Sequence, residues 1–268
     1  MRTAGSKQPA HYISKMSNEL FLPDQLFPSD NSWEIPTLRL DVQPKGAEIP
    51  FVRFGEQKRT YDMAGCGTLH FFTDDYRFSS VYDHPEKILA HHPANIVEPN
   101  YSLFNETPSA FGLQAVYKKR WIARAMQEKG IGVFVDMNVA QKFIKLNLIG
   151  IPKGYNAFAT RGYSDRIQAL EVEYALAQAI SGRDRPLFVC YGGGAECKAF
   201  CNRVGAVYVT PIIRVKTKEQ ALKQMLKDGV IAFADEDYSL KAIEDKQKQL
   251  WIDSVMDFAT DVQKQIEK

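Results

Sequence analysis

Five short apolar runs alternate with helix-like stretches in this chain, and each run ends on a polar or glycine-rich cluster. Residues 69–73 lead into Asp74, Asp75, Tyr76 and Arg77, and 96–97 lead into Glu98, Pro99 and Asn100. Residues 131–135 lead into Asp136, Met137 and Asn138, 155–159 into Thr160, Arg161 and Gly162, and 187–190 into Tyr191, Gly192, Gly193 and Gly194. Strands separated by helices pair in parallel, because a parallel pair needs a long crossover where an antiparallel pair needs only a tight turn. The carboxyl ends of such strands share one edge, and α/β proteins build their sites there.

The crossovers carry their own signals. Residues 109–129 follow Pro108 and stop at Gly130, with Phe111, Ala115, Ile122, Ala125 and Met126 at roughly helical spacing. Residues 165–181 place Ile167, Leu170, Tyr174 and Ala177 on one face before Gly182, and a third helix runs from Ala195 to about Val204. Five to seven strands in this alternation define an α/β fold with two architectures: an irregular (β/α) barrel or an open doubly wound sheet. The barrel is preferred, since polar clusters after five strands would ring a mouth, whereas an open sheet gathers contacts at one switch point.

Outside this alternation the chain changes character. Residues 1–60 hold six prolines and little periodicity, and read as an arm; Phe21, Leu22, Leu26, Phe27 and Trp33 require it to pack on the 61–215 core. Residues 216–268 are rich in Lys, Glu, Gln and Asp and predict a helix near 218–227, a strand at 230–234 and a long helix from about Ser239. That last helix carries an apolar stripe from Leu240 to Ile266, expected to fold back on its own domain or to make a homo-oligomer contact. No apolar run reaches the ~20 residues needed to span a bilayer, residues 1–10 lack a signal-like apolar stretch, and four cysteines suit a reducing compartment. A cytoplasmic protein with no membrane partner is expected. With 34 basic and 32 acidic residues, any polyanion must be held by a local patch rather than by the field of the whole protein.

Three constellations carry chemistry. Asp74, Asp75, Glu98 and Asp136 end neighbouring runs, and carboxylates converging on one pocket would serve as catalytic groups. Asp74, Glu98 and Asp136 among them would be ligands for magnesium or manganese, hard cations that take oxygen donors. The competing reading makes them turn caps and partners of arginines. Gly192, Gly193 and Gly194 lie between a strand and a helix, where backbone N–H groups could approach a phosphate, or where the turn simply needs positive φ. Lys118, Lys119, Arg120 and Arg124 crowd one helix with Trp121 interleaved, a pattern that suits a nucleic-acid surface and equally suits a helix dipole. Arg77, Asn100, Arg120, Asn138, Thr160, Arg161 and Tyr191 join Gly192, Gly193 and Gly194 as candidate substrate or phosphate contacts.

Cys190, Cys197 and Cys201 lack a Cys-x-x-Cys pair and read as packing residues. His70 alternates with Leu69 and Phe71, outside any His-x-His or His-Glu-x-x-His context, and no Gly-x-Ser-x-Gly occurs.

The blocks Asp74-Asp75-Tyr76-Arg77-Phe78, Glu98-Pro99-Asn100, Lys119-Arg120-Trp121-Ile122-Ala123-Arg124, Phe134-Val135-Asp136-Met137-Asn138-Val139 and Ala159-Thr160-Arg161-Gly162 occur in one order. That series resembles an uncharacterised domain family of bacterial phages, plasmids and other mobile elements, over about residues 38–211. The resemblance implies a mobile-element context and so favours nucleic-acid or phage–host functions; it supplies no activity, cofactor or catalytic residue. Three functions follow as expectations: a metal-dependent hydrolase or nuclease acting on nucleic acid or a nucleotide, a non-catalytic binding protein for nucleic acid or a host protein, and a nucleotide-sensing module.

Overall fold

In the computed structural model, residues 25–55 and 62–211 are described. Seven strands alternate with helices: β1 (Phe51–Arg53), β2 (Thr68–His70), α1 (Glu86–Leu89), β3 (Asn95–Val97), α2 (Ser109–Glu128), β4 (Gly132–Asp136), α3 (Ile144–Asn147), β5 (Ala157–Arg161), α4 (Ile167–Ser181), β6 (Leu187–Tyr191), α5 (Gly194–Val204) and β7 (Val207–Val209). All neighbours pair in parallel and the spatial order is the sequence order, β1 to β7. A doubly wound sheet reverses its strand order at a switch point. This sheet never does, which removes that alternative.

Ring contacts set the curvature. β2 and β6 are four strand spacings apart, or about 19 Å in a flat sheet at ~4.8 Å per spacing. Yet the rings of His70 on β2 and Tyr191 on β6 have centroids 4.2 Å apart, and Phe51 on β1 meets Phe134 on β4 at 6.4 Å. The sheet is therefore curled into a half-barrel, and these four side chains lie on its concave face. Since side chains alternate across a strand, the register assigns Arg53, His70, Val97, Arg161 and Tyr191 to the concave face. Leu69, Ile96, Thr160 and Cys190 fall on the convex face, against the helices.

The helices close as the glycines predict. Gly182 adopts φ 66°, a left-handed conformation that costs a residue without Cβ little, and its N–H caps Gln178 O at 2.9 Å. α2 differs from an ordinary surface helix. Lys119, Arg120, Trp121, Ile122, Ala123, Ala125, Met126 and Gln127 are all buried, because residues 25–50 run across its outer side. The Trp121 indole donates to Gln25 O (2.8 Å), Arg124 donates to Thr37 O (3.0 Å), and the Gln127 amide accepts from Arg39 N (2.7 Å) and donates to Arg39 O (3.0 Å).

The chain divides into two units, Met1–Val209 and Thr210–Lys268. The helices expected at 218–227 and from Ser239, the strand at 230–234 and the oligomer contact lie outside the described residues. No helix among the described residues is long and apolar enough to cross a membrane.

Candidate functional site

The carboxyl edge of the sheet separates the candidate residues into two groups. The first is a buried ion network behind the ends of β3 and β4. Glu98 accepts from Arg120 Nη1 at 2.5 Å and from the Asp136 backbone N–H at 3.1 Å, with Lys119 Nζ 3.9 Å away. Asp136 accepts from Asn100 Nδ2 at 2.8 Å and from Asn138 N at 3.1 Å, and Lys119 Nζ lies 3.5 Å from it. Glu98, Asp136 and Arg120 are wholly buried and Lys119 nearly so. Two carboxylates face two cations, so the cluster is neutral and closed. Burial pushes the Asp136 carboxyl up to about 6, against the pull of Lys119 and Asn100.

Asp74 and Asp75 stand apart from this network. Asp74 is exposed and lies 3.7 Å from Arg77; Asp75 accepts from Ser102 N at 3.0 Å and Ser102 Oγ at 2.8 Å, tying the loop after β2 to the loop after β3. Asp74 is thus not brought to Glu98 and Asp136. Among the described residues no group of three or more His, Cys, Asp or Glu side chains is placed to hold a metal ion, Cys190, Cys197 and Cys201 included.

The basic helix also departs from expectation. Lys119 and Arg120 point inward to carboxylates, and Trp121 is fully buried, so the three cannot form a nucleic-acid surface. The reason is packing: the chain before β1 covers the side of α2 that periodicity leaves to solvent. Lys118 lies over the Tyr82 ring at 5.1 Å, and Arg124 pairs with Glu128 at 2.5 Å. Arg77 donates to Gly55 O at 3.1 Å. Gly192, Gly193 and Gly194 all have positive φ. A Cβ on Gly193 would stand 2.4 Å from Cys197 Sγ and 2.7 Å from the Gly162 carbonyl carbon, so packing alone accounts for that glycine.

The second group lines the concave mouth. Arg161 is exposed at the end of β5, and Tyr191 ends β6 beside it in register. Between them and β1 sits His70, a residue that motif reading passes over. Its Nδ1 accepts from Phe72 N at 3.3 Å, which leaves Nε2 to carry the proton, and Nε2 is buried without a hydrogen-bond partner. Burial, then the positive charges of Arg53 and Arg161, hold the His70 pKa down to about 3. A neutral N–H donor is thus fixed inside the curl with two guanidiniums acting on it. At the rim, Arg166 lies over the Tyr163 ring at 3.9 Å and Arg161 over the same ring at 5.3 Å. Strict alternation in Thr68-Leu69-His70 was the available signal: it puts His70 on the face opposite Leu69.

A third set of polar groups lies on the convex side. Thr160 is buried there opposite Glu173 of α4, whose carboxyl burial pushes up to about 8.

The chain is similar to two curated phage proteins. It is 34% identical over 184 residues to the Gene 1 protein of Mycobacterium phage D29, covering 64% of each chain. It is 28% identical over 201 residues to the Gene 1 protein of Mycobacterium phage L5, covering 72% of this chain and 86% of that one. The chain thus spans under two thirds of the length of the first of these relatives. No solved structure matches it. A family described as a domain of unknown function (DUF4417) matches residues 27–203, most of the chain and nearly all of the half-barrel, and the protein belongs to that family.

Proposed function

We propose that the protein binds the phosphate of a nucleic acid or nucleotide at the concave mouth of the half-barrel. One observation carries this reading: the buried Nε2–H of His70 has no partner, and the two charges that act on its ring are the guanidiniums of Arg53 and Arg161. An unsatisfied buried donor costs about 1–3 kcal/mol, and a ligand oxygen would remove that cost. Arginines select an anionic oxygen, and a phosphate suits their planar fork. Tyr163, flanked by Arg161 and Arg166, offers an aromatic face at the rim on which a base could stack, worth ~1–3 kcal/mol. The relatives are phage proteins, a mobile-element context in which both nucleic-acid and phage–host functions are to be expected.

The test is fluorescence anisotropy with a labelled single-stranded oligonucleotide at low and moderate salt, competed by a nucleoside monophosphate and by inorganic phosphate. Binding should fall with salt at a log–log slope of about −0.7 per phosphate engaged. The exposed Arg161→Glu variant should weaken it at least about tenfold, since removing a charge-assisted contact and adding a repulsive charge exceeds ~1.4 kcal/mol. No binding at low salt by oligonucleotide or mononucleotide, or equal binding by the variant, would overturn the reading.

A further inference from the structure

On the other face of the sheet, a groove of about 300 Å³ opens between α3 and α4. Its walls are chiefly apolar, with Met137, Val139, Ile144, Leu148, Val172 and Leu176; Asn147 and Glu173 interrupt them, and the exposed Gln141 and Gln168 stand at the rim. Val172 remains 48% exposed in the middle of α4, so the apolar lip is not closed by its own helix.

Asn147 is 1% exposed. Its Nδ2 donates to the Asp136 carbonyl at 3.0 Å. A carbonyl can only accept, so the amide orientation is fixed and Oδ1 is the atom left over; Oδ1 is buried and has no partner. Glu173 faces the Thr160 hydroxyl, the Asp136 carboxylate and the Arg166 guanidinium, with Asp136 itself neutralised by Lys119. Asn147 Oδ1 is thus an unmet acceptor in the depth of the groove, and the Glu173 carboxyl beside it becomes a second one when it ionises to meet a cation. An apolar cleft with a few convergent polar groups is the usual form of a small-molecule site.

We propose that this groove binds a small amphiphilic amine, with its apolar body between α3 and α4 and its ammonium group held by the Glu173 carboxylate and Asn147 Oδ1. A carboxylate ligand would find no cation among the lining residues, and a neutral alcohol would gain hydrogen bonds to Asn147 Oδ1 and the Glu173 carboxyl but no ion pair. Burial holds Glu173 protonated at neutral pH in the empty groove, so docking an ammonium forms an ion pair and expels the carboxyl proton to solvent. This groove lies on the face opposite the concave mouth, with Arg166 acting both on Tyr163 at that mouth and on Glu173 here, and either proposal can fail without the other.

The experiment is isothermal titration of the full chain at neutral pH with cyclohexylmethylamine, cyclohexylmethanol and cyclohexanecarboxylate, in two buffers of different ionisation enthalpy. The amine should bind saturably, at least about tenfold more tightly than the carboxylate, with net proton release. Glu173→Gln should weaken the amine by at least about tenfold and abolish the proton release. Val172→Trp, at the exposed lip, should block all three probes, and Ala169→Phe provides a second obstruction should that variant not fold. Absence of amine binding, carboxylate binding as tight as amine, amine binding without proton release, or binding unaffected by the obstructing variant would each overturn the proposal.

Discussion

Replacing Arg120 with Met removes one charge from a closed set of four. The side chain is fully buried, with Nη1 on Glu98 Oε1 at 2.5 Å and Nη2 on the Asn147 carbonyl at 2.7 Å. After substitution Glu98 keeps only the Asp136 N–H at 3.1 Å and a Lys119 ammonium at 3.9 Å that Asp136 also claims. A buried charge stripped of its partner costs about 3–5 kcal/mol. At roughly 2–4 °C per kcal/mol for a unit of this size, the melting temperature should fall by about 6–20 °C. Thermal unfolding followed by circular dichroism measures this directly. Glu98→Gln combined with Arg120→Met leaves Asp136 and Lys119 as a balanced pair, so the double variant should be clearly more stable than the sum of the single losses predicts. A single-variant loss below about 1 kcal/mol, or strict additivity, would refute the closed-network account.

Other outcomes follow from the same geometry. His70 has a folded-state pKa lowered to about 3 from 6.5, so the unfolded chain takes up a proton that the native state refuses; stability is lost as pH falls below 6.5, and His70→Gln should flatten that acid limb in melting curves. Glu173 has its pKa raised from 4.5 to about 8; the native state keeps a proton that the unfolded state releases, stability declines as pH climbs from 4.5 through 8, and Glu173→Gln should remove most of that slope. Gln127→Ala leaves the Arg39 N–H without its acceptor, at a cost of about 1–3 kcal/mol, and trypsin should cut after Arg39 faster than in the parent protein. An unchanged cleavage rate would show that residues 25–50 are held by other contacts.

Much of the scaffold was legible because its signals are local. Pro108 and Gly130 bracket α2, and Gly182 and Gly205 end α4 and α5 with positive φ. Five strands announce themselves as apolar runs that end on polar or glycine-rich clusters, β2 and β3 among them although they are as short as β1 and β7; β1 sits inside the proline-rich stretch assigned to an arm, and β7 runs into Thr210-Pro211 without a charged or glycine-rich cluster. Glu98 follows β3 and Asp136 ends β4, while Asp74 and Asp75 lie in the loop beyond β2, and the partners of none of the four could be read from the sequence. Lys119 and Arg120 are helix-borne cations in a run that looks solvated, and only the fold shows that they answer Glu98 and Asp136 one for one. Trp121 looked available for stacking because nothing local says that a segment 96 residues earlier covers it. The concave mouth was hidden for the same reason: His70 and Tyr191 come within 4.2 Å only after four intervening strand pairings bend the sheet.

Adjacent residues at the end of β5 serve opposite faces. Thr160 turns toward α4 and Glu173, while Arg161 stands at the mouth with Tyr191. The same alternation sends Cys190 toward Cys197 and Cys201, and Tyr191 toward His70. A period of two therefore divides one stretch of chain between the two proposed sites, with the packed sheet between them. Perturbations should consequently stay on their own side. Arg161→Glu should weaken oligonucleotide binding while changing amine affinity by no more than about twofold, and Glu173→Gln should do the reverse, since both variants keep Arg166, which acts on Tyr163 and on Glu173, and effects at separated sites add within ~0.5 kcal/mol. Anisotropy and calorimetry on both single variants and on the double variant measure the coupling. A larger effect across the sheet would mean that both sites bias one conformational equilibrium of β5, and the division of labour by strand alternation would then be wrong.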